Sequence, residues 1–185
     1  MNDYVGLDLS LTATGFYVIK SDGTNDFMEI KTKPDDYPNE IARVDHIADV
    51  ILEKIKNYHI GFIAMEDFFS GQQAMSVIKL AILGSIVRYR LLNAGYSYLA
   101  FAPTQIKKFE TGSGNAPKDN MLKSVFKKHN FDTNSNNIAD ACAAAYLGKA
   151  YSEYKQGKND FAKYELEVLK KVEKERKIIT PYKNN

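Results

Sequence analysis

Three strand-like stretches open the chain before any helical periodicity appears, and that order restricts the fold more than any other feature of the sequence. They are residues 4–10, 15–20 and 27–33, with Ser21-Asp22-Gly23-Thr24 supplying turn chemistry between the last two. The simplest arrangement is an antiparallel meander. Pro34-Asp35-Asp36-Tyr37-Pro38 ends the pattern, and Asn39 is placed to cap a helix whose apolar residues Ile41, Val44, Ala48, Ile51 and Ile55 recur at helical spacing. The chain returns through GFIAM at residues 61–65, a short apolar run that suits a buried strand. A helix over 72–93, a turn at Asn93-Ala94-Gly95 and a strand over 96–102 follow. The order is βββαβαβ, an α/β domain.

Past that point Pro103 opens a short helix through Phe109, and residues 111–116 form a flexible loop. Pro117 is expected at the first position of another helix reaching about residue 129, with residues 132–137 again loop. A helix over 138–154 begins with Asp140-Ala141-Cys142-Ala143-Ala144-Ala145, whose small side chains permit close approach to a sheet. The Lys/Glu-rich segment 159–177 reads as a largely exposed helix and the last eight residues as a tail. We divide the chain into a domain over 1–154 and a basic helical extension over 155–185.

The 185 residues suit one core plus an appendage, and are short for two lobes that clasp a nucleotide. A single cysteine, Cys142, excludes an internal disulfide and multi-cysteine metal sites, so a cytoplasmic setting is expected, and no membrane or targeting segment is visible. Net charge is +2, unevenly laid out. Residues 1–66 carry 6 Lys/Arg against 12 Asp/Glu, whereas residues 103–130 carry 6 against 2 and residues 151–185 carry 9 against 6. Excess carboxylate suits a cation site, and clustered lysine suits a polyanion such as nucleic acid, although solvated faces give similar numbers.

Three carboxylates stand where apolar sequence makes them costly. Asp8 lies inside Gly6-Leu7-Asp8-Leu9-Ser10, Glu66 ends the GFIAM run, and Asp140 opens the alanine-rich helix. Each alone has an ordinary reading as a hydrogen-bonded or capping residue. Together they suit a hard cation that takes oxygen ligands, keeps waters and bridges to phosphate. Two such ions suit phosphodiester hydrolysis.

The sequence resembles the RuvC family of Holliday-junction resolvases over roughly residues 3–150. The residues that carry the resemblance are Gly6-Leu7-Asp8 with Thr12-Ala13-Thr14-Gly15-Phe16, Met65-Glu66-Asp67-Phe68-Phe69, and Ala139-Asp140-Ala141-Cys142-Ala143. Between them, Ala102-Pro103-Thr104-Gln105-Ile106-Lys107-Lys108 and Gly112-Ser113-Gly114-Asn115-Ala116-Pro117-Lys118 match the family's two basic segments in order and spacing. The resemblance implies a ribonuclease H-like fold, a mixed five-stranded sheet of three antiparallel strands then two parallel ones, flanked by helices. It implies a homodimeric endonuclease acting on four-way junctions and other branched DNA, with Mg²⁺ or Mn²⁺, two ions per site, and 5′-phosphate products. Asp8, Glu66 and Asp140 carry over as metal ligands. Lys107 and Lys118 carry over as residues at the scissile phosphate, with Lys108 and Lys123 as further candidates for DNA contact. Phe69 carries over as an aromatic that stacks on exposed bases. No small-molecule cofactor or membrane is implied.

One position departs from the family, which has an acid or sometimes a histidine three residues before the last aspartate. Here it is Asn137, whose amide oxygen can coordinate but adds no charge and is a poorer base. Asp67 is a poor substitute because adjacent strand side chains point to opposite faces, and Asp132 serves only if its loop folds back. The short length and Asn-, Lys- and Tyr-rich composition point to a bacteriophage version. The helix containing Ala81, Gly84 and Ser85 corresponds to the family's dimer region.

Other signals are weaker. Residues 112–118 lack the Gly-Lys-Ser/Thr end of a phosphate loop, and His46, His59 and His129 lack zinc spacing. Two competing functions remain: a junction-binding protein with weak or lost catalysis, which Asn137 would explain, and an actin/hexokinase-like ATPase, suggested by Asp8 followed by Ser10, Thr12, Thr14 and Gly15.

Overall fold

The meander forms as β1 (Asp3–Asp8), β2 (Ala13–Ile19) and β3 (Asn25–Lys31), in a computed structural model that describes residues 2–67, 74–175 and 178–181. There follow α1 (Glu40–Ile55), β4 (Ile60–Glu66), α2 (Ala74–Asn93) and β5 (Tyr98–Phe101), then α3 (Pro103–Thr111), α4 (Lys118–His129), α5 (Asn136–Lys155) and α6 (Lys163–Glu175). The sheet order is β3-β2-β1-β4-β5. The first three strands pair antiparallel, and β4 and β5 join β1 in parallel. This is the mixed sheet expected from the sequence.

The two-residue period sorts the sheet's side chains between two helical layers. Val5, Leu7, Phe16, Val18, Ile63 and Met65 pack against Val44, Ile47 and Ile51 of α1 and Leu83, Val87 and Leu91 of α2. The opposite face carries Gly6, Asp8, Gly15, Tyr17, Ala64 and Glu66 and is covered by α5. On that side Phe62, Ala64, Leu99 and Phe101 meet Ala143, Ala144 and Leu147, while Tyr17 and Ile19 meet Ala141, Cys142 and Ala145.

Helix α5 rests almost directly on backbone. A Cβ added at Gly6 would lie 1.9 Å from the Ala141 carbonyl oxygen, and one at Gly15 would lie 2.1 Å from the Asn137 carbonyl oxygen. Glycine in the strands and alanine in the helix together permit this contact. It fixes where the start of α5 stands relative to the ends of β1 and β4.

Buried Arg43 of α1 holds the loop between β1 and β2 in place. Its guanidinium donates to the Leu11 carbonyl at 2.7 Å and to the Thr32 carbonyl and hydroxyl at 3.1 and 2.8 Å. Within that loop the Ser10 amide donates to the Thr14 hydroxyl at 3.0 Å, which donates to the Ser10 carbonyl at 2.6 Å. These groups are used in knitting the turn, which accounts for the Ser/Thr pattern without a nucleotide phosphate.

Several sequence expectations change in detail. Helix α5 starts at Asn136, because the Ser135 hydroxyl caps it by accepting from the Ile138 amide at 3.3 Å; Asn137 therefore lies in the first helical turn and not in a loop. Pro117 caps α4 from outside, so Lys118 is its first residue. Helix α6 starts at Lys163, later than expected, and although most of its residues are exposed as predicted, Val168, Leu169 and Val172 are buried in the same core as Phe109 and Phe101. The tail also engages the sheet, as Tyr98 and Ile179 exchange backbone hydrogen bonds of 3.0 and 2.8 Å along β5. Among the described residues, no helix is long and apolar enough to cross a membrane.

Candidate active site

Asp8 and Glu66 end neighbouring parallel strands. Leu7 is in register with Met65, so the next residue on each strand projects at the same edge and to the same face, with the strand axes about 4.8 Å apart. The contact of Ala141 with Gly6 lays the first turns of α5 over this edge and brings Asp140 to it. Three acids from three elements thus converge because of one strand register and one glycine contact.

Their electrostatics record the convergence. Burial first, then Asp140 and Glu66, hold the Asp8 carboxyl well above the usual carboxylate range, against the pull of Lys118. Burial and then Asp140 push Glu66 up to about 7, against Lys107. Asp140 is raised by burial, and both lysines oppose the rise. Among the described residues none donates a hydrogen bond to these three carboxylates.

The two cations arrive by short paths. Glu66 pairs with Phe101 at the end of β5, and α3 begins two residues later with Pro103, its Ala102 amide donating to the Gln105 side chain at 2.9 Å. Lys107 stands one turn into that helix. The αL residue Gly112, at φ 82°, ends α3, and the loop after it delivers Lys118 at the start of α4.

The donor set suits a hard cation that keeps much of its water. The oxygens are carboxylates to which no described residue donates, and a bound cation would relieve their shared negative charge. Among the described residues no three Asp, Glu, His or Cys side chains are gathered tightly enough to hold an ion alone.

The family model described as crossover junction endodeoxyribonuclease RuvC matches residues 4–147. The chain belongs to the RuvC family. The RuvC protein of Synechococcus sp. strain CC9311 is 28% identical over 156 residues, covering 78% of this chain and 96% of its own length. That of Photorhabdus laumondii is 28% identical over 159 residues, covering 82% and 87%. The fold is also that of Thermus thermophilus RuvC, matched at TM-score 0.69 and 23% identity over 83% of this chain and 96% of that one. The same protein in complex with a Holliday junction substrate matches at TM-score 0.71 and 23% identity, over 84% and 97%. These similarities place the mixed sheet in the ribonuclease H-like class, and nucleases of this type are generally metal-dependent.

In this RuvC-family chain the structure assembles Asp8, Glu66, Asp140, Lys107 and Lys118 at one edge. Lys108 stands apart, paired with Glu167 of α6 at 2.8 Å. Asp67 turns to the other face, where Arg88 of α2 donates to it at 3.1 Å, and Asp132 is exposed. Phe69 lies outside the described residues. Cys142 is buried against Tyr17, and burial pushes its thiol up, which leaves it inert as a nucleophile.

Asn137 reaches the site by its backbone: its carbonyl lies against Gly15, the partner of Asp8 across β1 and β2. Its side-chain amide donates to Glu29 of β3 at 3.0 Å, and the Ser135 hydroxyl donates to the same carboxylate oxygen at 2.6 Å. Sequence reasoning missed Glu29. Its only signal was an acid within a predicted strand, and the register that sets it opposite Gly15 could not be read from spacing.

Proposed function

We propose that this chain is a divalent-metal-dependent endonuclease that resolves four-way DNA junctions, and cuts other branched DNA, as a homodimer in the cytoplasm. The observation that carries this reading is the convergence of three hydrogen-bond-poor carboxylates with two lysines at the strand ends, in a chain of the RuvC family.

Asp8, Glu66 and Asp140 would hold the ions, with the Asn137 amide oxygen as a neutral fourth ligand. Two Mg²⁺ or Mn²⁺ ions, when bound, supply positive charge to the phosphate oxygens and make water acidic enough to attack at neutral pH. Lys107 and Lys118 bring point charges to the scissile phosphate, where charge builds in the transition state. Water attacks phosphorus in line, the bond to the 3′ oxygen breaks, and a 5′-phosphate and 3′-hydroxyl remain. Beside Pro117, a groove lined by Ser113, Asn115, Asn120, Lys123 and Lys127 extends the basic surface for a DNA arm.

The dimer reading rests on α2. Gly84 is buried within the chain, but Ile78, Ile82, Ser85 and Tyr89 follow one helical stripe, with Ile78 52% and Tyr89 64% exposed. A second copy of the chain on this stripe would cover that apolar surface. Two sites related by a two-fold axis would then face the two strands to be cut.

The decisive experiment offers a labelled mobile four-way junction and a linear duplex of the same sequence, with Mg²⁺, Mn²⁺ or EDTA. Paired symmetric nicks on the junction alone, absent in EDTA, are expected. Tight junction binding with no cleavage in either metal would favour the second reading, a junction binder weakened by Asn137. Lys118→Ala is expected to slow cleavage by about 10–100-fold. It should also reduce the slope of log affinity against log salt by about one contact. An unchanged rate in single-turnover assays would remove Lys118 from the reaction.

A further inference from the structure

Reading across the sheet at the level of Asp8 gives Asp8, then Gly15, then Glu29, one residue from each of β1, β2 and β3 in direct register. All three face α5. Gly15 has no side chain, so the Asn137 carbonyl sits directly over it, and the Asn137 side chain spans toward Glu29. Glu29 is itself fully engaged. One carboxylate oxygen accepts from Asn137 at 3.0 Å and Ser135 at 2.6 Å, and the other pairs with Lys31 at 3.0 Å.

An amide has one donor end and one acceptor end. With the donor end of Asn137 committed to Glu29, the acceptor end is fixed on the other fork of the side chain. We propose that Glu29 is a positioning residue that turns the Asn137 amide oxygen toward Asp8 and Asp140, so that a neutral ligand serves where the family has an acid. This rests on the metal-site reading above. Outer groups that fix a ligand's orientation commonly alter metal affinity by about 10–100-fold when removed.

The pairing has a consequence that a merely structural glutamate would not have. An aspartate at 137 would set a second carboxylate about as close to Glu29 as the present 3.0 Å hydrogen bond, with the amide N–H that now bridges them gone. The family's acid would therefore work poorly in this chain unless position 29 also changed. Glu29 and Asn137 form one exchangeable unit.

The test measures Mn²⁺ affinity by electron paramagnetic resonance on the full-length protein without DNA, beside Mn²⁺-dependent junction cleavage. Glu29→Ala is expected to weaken Mn²⁺ binding by about tenfold, while Glu29→Gln, which keeps an acceptor for Asn137, stays within about threefold of the parent. Asn137→Asp alone should give no gain in affinity, and Glu29→Gln with Asn137→Asp should exceed the parent. Junction affinity in EDTA should stay level throughout. A gain from Asn137→Asp of equal size with and without the accompanying Glu29→Gln would overturn the proposal, as would undiminished Mn²⁺ binding by Glu29→Ala. Mn²⁺ binding by the parent without junction cleavage would sink the nuclease reading and leave the ligand-positioning result to be judged on the affinities. No Mn²⁺ binding by the parent would overturn both.

Discussion

Asp8→Asn is expected to abolish metal-dependent junction cleavage, by about a thousandfold or more, and at the same time to make the metal-free protein more stable. The two effects have one cause. Asp8 is raised well above its ordinary range chiefly by burial, with Asp140 and Glu66 adding to it, so folding places an unwelcome negative charge at the strand end. The sign follows from linkage. A carboxyl whose folded pKa exceeds its unfolded one binds more protons when folded, so stability is greatest at acid pH and falls as pH rises. For Glu66 the fall runs from about 4.5 to about 7 and then levels, amounting to about 3 kcal/mol.

In EDTA at pH 8, Asp8→Asn should therefore melt on the order of 5 °C above the parent, with the gap shrinking toward pH 4. Saturating Mn²⁺ should raise the parent's Tm and leave the variant's nearly unchanged. Differential scanning calorimetry across pH, with and without Mn²⁺, reads both. A lower Tm for Asp8→Asn at pH 8 in EDTA would mean that the Asp8 carboxylate stabilises the fold, and it would count against a cation site there.

Gly6→Ala is expected to be the most damaging Gly→Ala change among the described glycines. The added carbon would stand 1.9 Å from the Ala141 carbonyl oxygen, 2.5 Å from the Ala145 amide nitrogen and 2.9 Å from the Ala145 Cβ. Two of these are backbone atoms of a helix buried on several sides, so no side-chain rotation relieves the clash. Either α5 lifts from the sheet or β1 bends. Overpacking of this kind costs about 3 kcal/mol, a fall in Tm on the order of 6–12 °C. Cleavage should fall further than the loss of folded protein explains, because α5 carries Asp140 and Asn137 as a rigid unit. Urea unfolding gives the stability, and single-turnover cleavage at a temperature where both proteins are folded gives the rate. A variant of unchanged stability and rate would show that the contact between α5 and β1 is looser than described.

Helix α6, beyond the family match, packs into the core. Val168, Leu169 and Val172 close the core beneath α3, and Glu167 and Glu165 pair with Lys108 and Lys128. Lys108 is consequently neutralised from within the chain, whereas Lys107, one position earlier on the same helix, acts on Glu66 and Asp140. Neighbouring helical positions differ by about a third of a turn, and that rotation separates a residue facing the site from one serving packing.

Element order, the antiparallel start, the three acids out of place in apolar surroundings and the two basic segments after the last strand were all legible in the amino-acid sequence. Each is a local signal: a period, a turn, a charge where burial is expected. Register and close approach arise only on folding, since both depend on residues far apart in the chain. The pairing of Leu7 with Met65 sets Asp8 beside Glu66, and Gly6 admits the Ala141 carbonyl and so brings Asp140 down to them. The same holds for Asn137, a loop residue by its polar neighbours and a helical one once Ser135 caps α5, and for Glu29, unremarkable in its strand until the rows Asp8–Gly15 and Gly15–Glu29 align. Strand periodicity tells which side chains share a face, but the rung of the ladder on which they meet is decided by the hydrogen bonds between strands.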